Sequence, residues 1–329
     1  MNRDMMQGFE LFQPVQIKDA LTLLDKYEDE SWVYAGGKDS LDWFKDRVKK
    51  PKAVIDLNGI KDLKGVRETA DGVEIGAMTT LSEVIGNSII KERYPMLTQS
   101  TEKIASPQIR NAGTLGGNVA QDTRCWYYRY GLPCYRAGGN TCYADTPSAM
   151  NREHTLFGAD RCVAVTPSDS APVLVALDAK MVIQNSNGER IVSAEGFFIG
   201  PGVDITRMTV LKPGDILTSI RLPKEWAGAR YYFEKVADRE TWDFSLVNVA
   251  LAMFMNGDKI KRVRVVCGGV ECVPRRLTGV EDLLTGEPIN DDLVKMAGGV
   301  ASRGAKTLNF NHFKVPLMEN LVKRAISRA

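Results

Sequence analysis

Four of the six cysteines lie in one stretch of the chain, where they could bind a metal or an iron–sulfur cluster. The intervals between them are 8, 7 and 19 residues, and the four are Cys125, Cys134, Cys142 and Cys162. The stretch from residue 122 to about 165, called the cysteine segment below, is rich in Cys, Tyr, Arg, Gly and Pro. It has little hydrophobic periodicity, so something other than an apolar core has to order it.

Four cysteines are the usual ligand number of an iron–sulfur cluster and also of a structural zinc site. The irregular intervals, without paired CxxC motifs, favour a [4Fe–4S] or [2Fe–2S] cluster over a zinc ribbon, and four free thiols are the alternative. Cys267 and Cys272 lie in the apolar run VVCGGVEC, so we expect them to pack in the core.

The chain has two histidines, His154 and His312. No motif supports a Ser–His–Asp or Cys–His hydrolase. His154 lies inside the cysteine segment, and we expect it to lie beside the metal site or at the surface, without being a ligand.

Two glycine-rich loops, about 80 residues apart, have the composition of phosphate-binding turns. The first loop follows a predicted strand and consists of Ala35, Gly36, Gly37, Lys38, Asp39, Ser40 and Leu41. The second loop consists of Thr114, Leu115, Gly116, Gly117 and Asn118. Paired glycines let backbone N–H groups approach a pyrophosphate closely, so we expect the loops to hold a two-phosphate ligand from both sides. Two unrelated turns are the alternative.

Composition excludes several other classes of protein. With 329 residues, the chain is long enough for two or three domains. Its net charge of +2 gives no reason to expect nucleic acid as a partner. No apolar stretch approaches the roughly 18 residues of a membrane span, and no secretory signal is recognisable. We therefore expect a cytoplasmic protein, periplasmic only if a partner's signal carries it, with reduced cysteines.

The pattern of elements predicts an α+β fold with strands and helices in mixed order. Predicted helices span residues 17–27, 81–93, 279–284, 291–301 and 315–328. Predicted strands span residues 32–35, 53–57, 72–78, 174–184, 190–192, 216–222, 245–255 and 260–267. No GxGxxG follows a first strand, so a Rossmann dinucleotide fold is not expected.

The two loops together resemble those of the FAD-binding subunits of the molybdenum hydroxylases. That family includes the flavin domain of xanthine dehydrogenase and the medium subunits of carbon monoxide dehydrogenase and 4-hydroxybenzoyl-CoA reductase. The resemblance runs from Phe9 to about Ala329 and includes the strings IASPQIRNAGTLGGN, PSD with APVLVALDA, and YFEKV with FSLVNVALA. The first loop departs from the usual AGGTDL at Lys38 and Ser40, which leaves the side-chain contacts of Lys38 open.

The resemblance implies a two-part FAD-binding domain of the vanillyl-alcohol oxidase type and a smaller α/β C-terminal domain of the CO dehydrogenase flavoprotein type. It places the FAD-binding subdomains at residues 1–57 and 58–222 and the C-terminal domain at residues 223–329. By position, the two loops would hold the FAD pyrophosphate and ribityl chain, and Asp169 would bond ribityl or ribose hydroxyls. Ile216 and Lys235 would lie by the flavin ring, where a cation stabilises reduced flavin.

About 45 residues separate the second loop from Pro167-Ser168-Asp169, whereas most family members pass directly from one to the other. This insertion resembles the subgroup with an additional [4Fe–4S] cluster, which includes flavin subunits of a bacterial periplasmic-type aldehyde oxidoreductase and of 4-hydroxybenzoyl-CoA reductase. The amino-acid sequence of the segment is more similar to the aldehyde oxidoreductase version of the insertion. The resemblance therefore implies that the four cysteines of the segment hold a [4Fe–4S] cluster.

The function implied by the resemblance is electron transfer within a heteromeric molybdenum-containing oxidoreductase, without a catalytic residue in this chain. Expected partners are a molybdopterin-binding large subunit, a small subunit with two [2Fe–2S] clusters, and a ferredoxin or another electron carrier as external acceptor or donor. Two alternatives come from other classes. A free-standing FAD oxidase would turn over a small substrate alone, and a zinc-stapled assembly protein would bind zinc and no flavin.

Overall fold

Three β-sheets organise residues 5–329, which are the part of the chain that the computed structural model describes. The first sheet has three strands, the second has five and the third has four, each from a consecutive stretch of the chain. The α+β prediction is confirmed. No helix in the described residues is long and apolar enough to cross a membrane.

The first unit is a small parallel sheet with the strand order β1-β3-β2. Its elements are β1 (Glu10–Phe12), α1 (Ile17–Tyr27), β2 (Ser31–Tyr34), α2 (Ser40–Lys45) and β3 (Ala53–Asp56). The central strand β3 is buried on both faces, as parallel strands commonly are. One face packs under α1 and the other under α2, so the first glycine loop leaves the carboxyl end of β2 and leads into α2.

The second unit is an antiparallel sheet with the order β4-β5-β8-β6-β7 and a helical layer. Its strands are β4 (Val66–Thr69), β5 (Gly72–Gly76), β6 (Lys180–Asn185), β7 (Gly188–Ser193) and β8 (Ile216–Pro223). Its helices are α3 (Leu81–Gly86), α4 (Ser88–Arg93), α5 (Pro95–Glu102), α6 (Pro107–Arg110), α7 (Leu115–Ala120), α8 (Trp126–Arg129), α9 (Ser170–Ala176) and α10 (Ala194–Phe197). The second glycine loop enters α7.

The third unit is an antiparallel sheet with the order β12-β11-β10-β9. Its elements are β9 (Arg230–Val236), β10 (Val247–Asn256), β11 (Lys259–Gly268), β12 (Arg275–Arg276), α11 (Thr278–Leu284), α12 (Asp291–Ala301) and α13 (Lys314–Arg328). Successive side chains of β10 point to opposite faces of the sheet, and both faces are packed against other elements. Val249 and Leu251 pack towards α12 and α13, whereas Ala250 and Ala252 belong to the core shared with α9. The third unit is therefore packed directly on the second.

The element predictions were wrong in two places. The predicted helix over residues 81–93 is two helices, because Asn87 ends α3 and its side chain accepts from the backbone N–H of Ile90 to cap α4. The predicted strand over residues 174–184 begins only at Lys180. Its first residues belong to α9, which is buried along its whole length, and a continuously apolar run has no periodicity to separate helix from strand.

The predicted domain boundaries fall close to the gaps between the sheets. The strands of the three sheets lie within residues 10–56, 66–223 and 230–276, so β8 passes the predicted boundary by one residue. Whether the three units are separate domains stays a prediction.

Candidate cofactor-binding site

A groove of about 530 Å³ runs between the first two units and reaches the third. Both glycine loops line it, together with the segment Trp242–Phe244 that follows β9. A second cavity of about 360 Å³ adjoins the groove. Six residues line both, namely Trp32, Val33, Ala35, Gly117, Ala120 and Leu211. The two together therefore form one long depression that suits an elongated ligand.

The two loops are in contact, and glycine is what lets them approach. A Cβ on Gly36 would lie 2.1 Å from the carbonyl oxygen of Ala112, just before the second loop. Gly37 has φ +70°, and a Cβ there would lie 2.0 Å from the hydroxyl of Tyr34. Larger residues at these two positions would force the loops apart or strain the backbone.

The second loop is held by side-chain caps. The hydroxyl of Thr114 accepts from the backbone N–H of Gly117 at 3.0 Å, which caps α7. The hydroxyl of Ser168 donates to the side-chain oxygen of Asn118 at 2.6 Å, which joins the loop to the residues before α9. The loop therefore has a defined shape at the groove wall.

Most of the predicted binding residues face the depression. Those lining the groove are Ala35, Gly36, Gly37, Lys38, Asp39, Ser40, Thr114, Gly117, Asn118 and Asp169. Gly116 and Ile216 line the adjoining cavity instead. Leu41 packs in an aromatic cluster of the first unit, and Leu115 is buried in the core of the second. Lys235 lies behind the groove wall, bonded to Asp169.

Asp169 and Lys235 form a buried ion pair, with 2.6 Å between the carboxylate and the ammonium. The hydroxyl of Ser245 and the amide of Asn248 also donate to Asp169, at 3.0 and 3.1 Å. Burial raises the pKa of Asp169, and the charge of Lys235 opposes that shift. Lys235 also donates to the carbonyl oxygens of Lys103 and Asp243. The pair thus joins the second and third units beside the groove.

Ile216 and Lys235 do not share a position. Ile216 is buried against the adjoining cavity, whereas Lys235 reaches the groove through Asp169. Sequence reasoning could not distinguish the positions of these two residues, because both assignments came from one resemblance.

Two strained residues at the groove were missed by sequence reasoning. Ala105 and Trp242 are not glycines, yet they have φ +46° and +50°, in the left-handed region. The backbone N–H of Trp242 donates to the carbonyl oxygen of Ala105 at 2.9 Å, and the hydroxyl of Thr241 donates to the same oxygen. Such conformations cost about 1–3 kcal/mol each and cluster at functional sites. No residue type in the sequence signals them.

The four cysteines of the cysteine segment all line one small cavity. Cys134 and Cys162 are buried, and Cys125 and Cys142 are half-buried. Within residues 5–329, no group of three or more His, Cys, Asp or Glu side chains is arranged to hold a single metal ion. The cavity that the four cysteines line is called the cysteine cavity below.

Three of these cysteines stand immediately before a short helical turn. Cys125 precedes α8, and Cys134 and Cys142 precede single 3₁₀ turns. Free backbone N–H groups at the start of such turns favour a thiolate. Burial raises the pKa of Cys125 to about 12, and N–H groups of Tyr127 and Tyr128 oppose that shift.

A buried guanidinium, that of Arg136, lies beside the thiols. It pairs with Asp122 at 2.9 Å, while its Nε and Nη1 atoms are buried without a partner. The neighbouring Cys272 and the charge of Arg136 lower the pKa of the Cys162 thiol against the effect of burial. Unpartnered donors next to thiolates suit a ligand that is rich in acceptors and negative charge.

The other cysteines and His154 differ in their surroundings. Cys267 is buried in β11, which confirms its predicted place in the core. Cys272 is also buried, but it donates to the carbonyl oxygen of Ala164 at 3.0 Å and lies against Cys162. His154 is buried with Nε2 3.3 Å from Sγ of Cys125, which confirms a place beside the cysteines. Burial, and then the charge of Lys314, lower the pKa of His154 to about 4.

The cysteine segment is anchored to two distant parts of the chain. Arg129 and Arg124 both pair with Asp39 of the first glycine loop, at 2.7 and 3.0 Å. On the other side, Asn309 donates to two carbonyl oxygens of the segment, and the ammonium of Lys314 donates to those of Glu153 and His154. No residue pattern predicts these anchors, because their partners lie far away along the chain.

The groove and the cysteine cavity share a thin wall. Arg124 lines the groove, and its neighbour Cys125 lines the cysteine cavity. Met208 lines the groove and packs against Cys162 and Cys272. The arrangement brings the two predicted cofactor sites next to each other.

Comparison with known proteins agrees with this geometry. Residues 7–225 match the FAD binding domain in molybdopterin dehydrogenase, and residues 231–329 match the CO dehydrogenase flavoprotein C-terminal domain. The chain is 29% identical to the carbon monoxide dehydrogenase medium chain of Hydrogenophaga pseudoflava, covering 98% of this chain and 96% of the relative. It is 31% identical to the aldehyde oxidoreductase FAD-binding subunit of Escherichia coli, covering 83% and 86%.

A solved structure of carbon monoxide dehydrogenase from Hydrogenophaga pseudoflava has the same fold. Its chain superimposes with a TM-score of 0.78 at 27% identity, covering 99% of this chain and 98% of that chain. The chain described here belongs to the family of FAD-binding medium subunits of the molybdenum hydroxylases. The predicted FAD-binding domain with a smaller C-terminal domain is confirmed.

Proposed function

We propose that this chain is the FAD- and [4Fe–4S]-containing electron-transfer subunit of a heteromeric molybdenum-containing oxidoreductase. It would pass electrons between [2Fe–2S] clusters of a partner subunit and an external acceptor or donor. The observation that carries the proposal is the shared wall, with Arg124 facing the groove and Cys125 facing the cysteine cavity. A bound flavin would supply the exchange between two-electron and one-electron transfer.

The groove suits FAD because it is elongated and because the backbone of two glycine loops lines it. Glycine at Gly36 and Gly37 leaves room that a Cβ would fill. We assign the pyrophosphate to the two loops, because no large side chain at their glycines covers the backbone N–H groups. The ribityl chain and flavin ring are assigned to the part of the groove lined by Asp169, Ala105 and Trp242.

The roles of Asp169 and Lys235 follow from their pairing. Three protein donors already bond the carboxylate of Asp169, which leaves it about one free acceptor position for a ribityl hydroxyl. Lys235 would place positive charge near the ring without touching it, because its ammonium already has three oxygen partners.

The cysteine cavity fits a cluster better than a single ion. In a [4Fe–4S] cluster each cysteine binds a different iron atom, so the sulfurs surround the group and do not converge on one point. The proposal is supported by Cys125, Cys134, Cys142 and Cys162 lining the same cavity. Arg136 would offset part of the negative charge of the cluster, and its free N–H groups would face acceptor sulfurs.

The partner subunits are proposed from the family to which this chain belongs. Relatives called a medium chain and a FAD-binding subunit are named as parts of larger assemblies. We infer a molybdopterin-binding large subunit and a [2Fe–2S] small subunit here too, with a ferredoxin or another one-electron carrier outside the complex. The proposal includes that the cysteine segment is of the aldehyde oxidoreductase type.

Anaerobic purification of the full chain, with its FAD and iron contents measured, tests the proposal. We expect one FAD and about four irons per chain. Cys134→Ala should lose the iron and keep the FAD, whereas the matched Cys267→Ala should keep both. FAD without iron in the unaltered chain would overturn the cluster, and zinc without FAD would favour the assembly-protein alternative. Turnover of a small substrate by the chain alone would favour the oxidase alternative.

A further inference from the structure

His154 is buried, and its ring contacts one cysteine of the proposed cluster site. Nε2 lies 3.3 Å from Sγ of Cys125, and Nδ1 is buried without a hydrogen-bond partner. The backbone carbonyl of His154 accepts from Lys314 at 2.8 Å and from Asn311 at 3.2 Å. The ring is therefore placed by backbone anchors, and within residues 5–329 Cys125 is its one polar partner.

Which of the two residues donates in the hydrogen bond between His154 and Cys125 follows from the chemistry of the cysteine. An iron-bound thiolate carries no proton, so it can only accept. The proton of the neutral ring must then lie on Nε2, and no partner at Nδ1 competes for it. A hydrogen bond to a ligand sulfur stabilises the reduced, more negative cluster and raises its reduction potential.

We propose that His154 is a positioning residue that donates an N–H···S hydrogen bond to Cys125 and raises the reduction potential of the cluster. This inference rests on the [4Fe–4S] part of the proposed function. Cys125 directly follows Arg124 of the groove wall, so the bond acts on the ligand next in sequence to the flavin site. Histidine in this place would tune the step between the two cofactors.

The test is an EPR-monitored redox titration of the anaerobically isolated full chain with its cofactors. His154→Leu removes the donor, and His154→Gln keeps an N–H near the position of Nε2. His312→Leu is the matched control, because His312 is the only other histidine and is exposed. We expect a lower midpoint potential for His154→Leu, a much smaller shift for His154→Gln and none for His312→Leu. An iron-loaded His154→Leu with the unaltered potential would overturn the inference.

A second measurement covers the case in which His154→Leu loses its iron. Pulsed EPR of the reduced chain labelled with ¹⁵N-histidine should show a ¹⁵N coupling to the cluster, retained in His312→Leu. Absence of that coupling in an iron-loaded chain would also overturn the inference. An unaltered chain without iron would overturn both this inference and the cluster in the proposed function, so the two failures are distinguishable.

Discussion

The groove and the cysteine cavity are neighbours, but they are built in different ways. Backbone of two short loops shapes the groove, and its fit depends on the absence of side chains at Gly36 and Gly37. The cysteine cavity lies in a segment without strands, held by side chains from residues 39–49 and 309–314. The difference shows that the first site depends on local backbone geometry, and the second on long-range hydrogen bonds.

The largest effect is expected from Lys314→Met. The ammonium is fully buried and donates to backbone carbonyls of Glu153, His154 and Gly269. Because the substitution removes this donor and leaves His154 with Asn311 alone, we expect a loss of about 2–4 kcal/mol in the free energy of unfolding, with faster iron release to a chelator. Arg328→Met, at an exposed position of the same helix, is the control. Equal iron release from the two variants would contradict the anchoring role.

The same lysine predicts a pH dependence of stability. Burial lowers the pKa of Lys314 to about 7, whereas a lysine of the unfolded chain titrates near ~10.4. Between these values the unfolded chain binds more protons, so the stability contributed at this site rises from about pH 7 to pH 10. Thermal unfolding across that range should show a steeper rise for the unaltered chain than for Lys314→Met. Parallel curves would show that the ammonium stays charged among its carbonyls.

Gly36→Ala should act on the groove and leave the cysteine cavity intact. The added Cβ would lie 2.1 Å from the carbonyl oxygen of Ala112, so the two loops must separate. Overpacking of this kind costs about 1–3 kcal/mol, which corresponds to FAD binding weakened about 10- to 100-fold. Gly86→Ala, with open space around the added atom, is the control. FAD fluorescence titration measures the loss, and iron content should not change.

Asp39→Asn tests the connection between the two regions. The carboxylate pairs with Arg124 and Arg129, whose side chains are largely buried. Its loss should cost about 1–2 kcal/mol and weaken both FAD binding and iron retention. Asp160→Asn removes an exposed pair within the same segment and should change neither. A defect in only one cofactor would show that the regions are independent.

The smallest effect is expected from Arg152→Ala. Arg152 and Asp238 form a two-contact ion pair at 2.6 and 2.7 Å between the cysteine segment and the loop after β9. Both side chains are about half exposed, so the pair should contribute about 0–1 kcal/mol. Thermal unfolding should shift little. A large loss of flavin or iron would mean that this surface pair positions the loop at the groove.

The same contrast explains what could be predicted. The glycine loops and the regular helices follow from residue types within a few positions, so they were recognised, as was the gathering of four cysteines in one segment. The strain at Ala105 and Trp242 could not be found, because it arises from a contact between residues 137 positions apart in the sequence. The anchors at Asn309 and Lys314 also bond backbone atoms, which no sequence pattern marks.

The anchoring of the cysteine segment has a consequence for the order of synthesis. Carbonyl oxygens around Thr146 and His154 find their donors only in residues 309–314, more than 150 positions later. Contacts of such sequence separation form late, after the intervening chain has been made. The four cysteines therefore leave the ribosome long before the surroundings that fix them exist. Loading of iron should accordingly follow translation of the third unit, and a chain truncated before residue 309 should bind FAD more readily than iron.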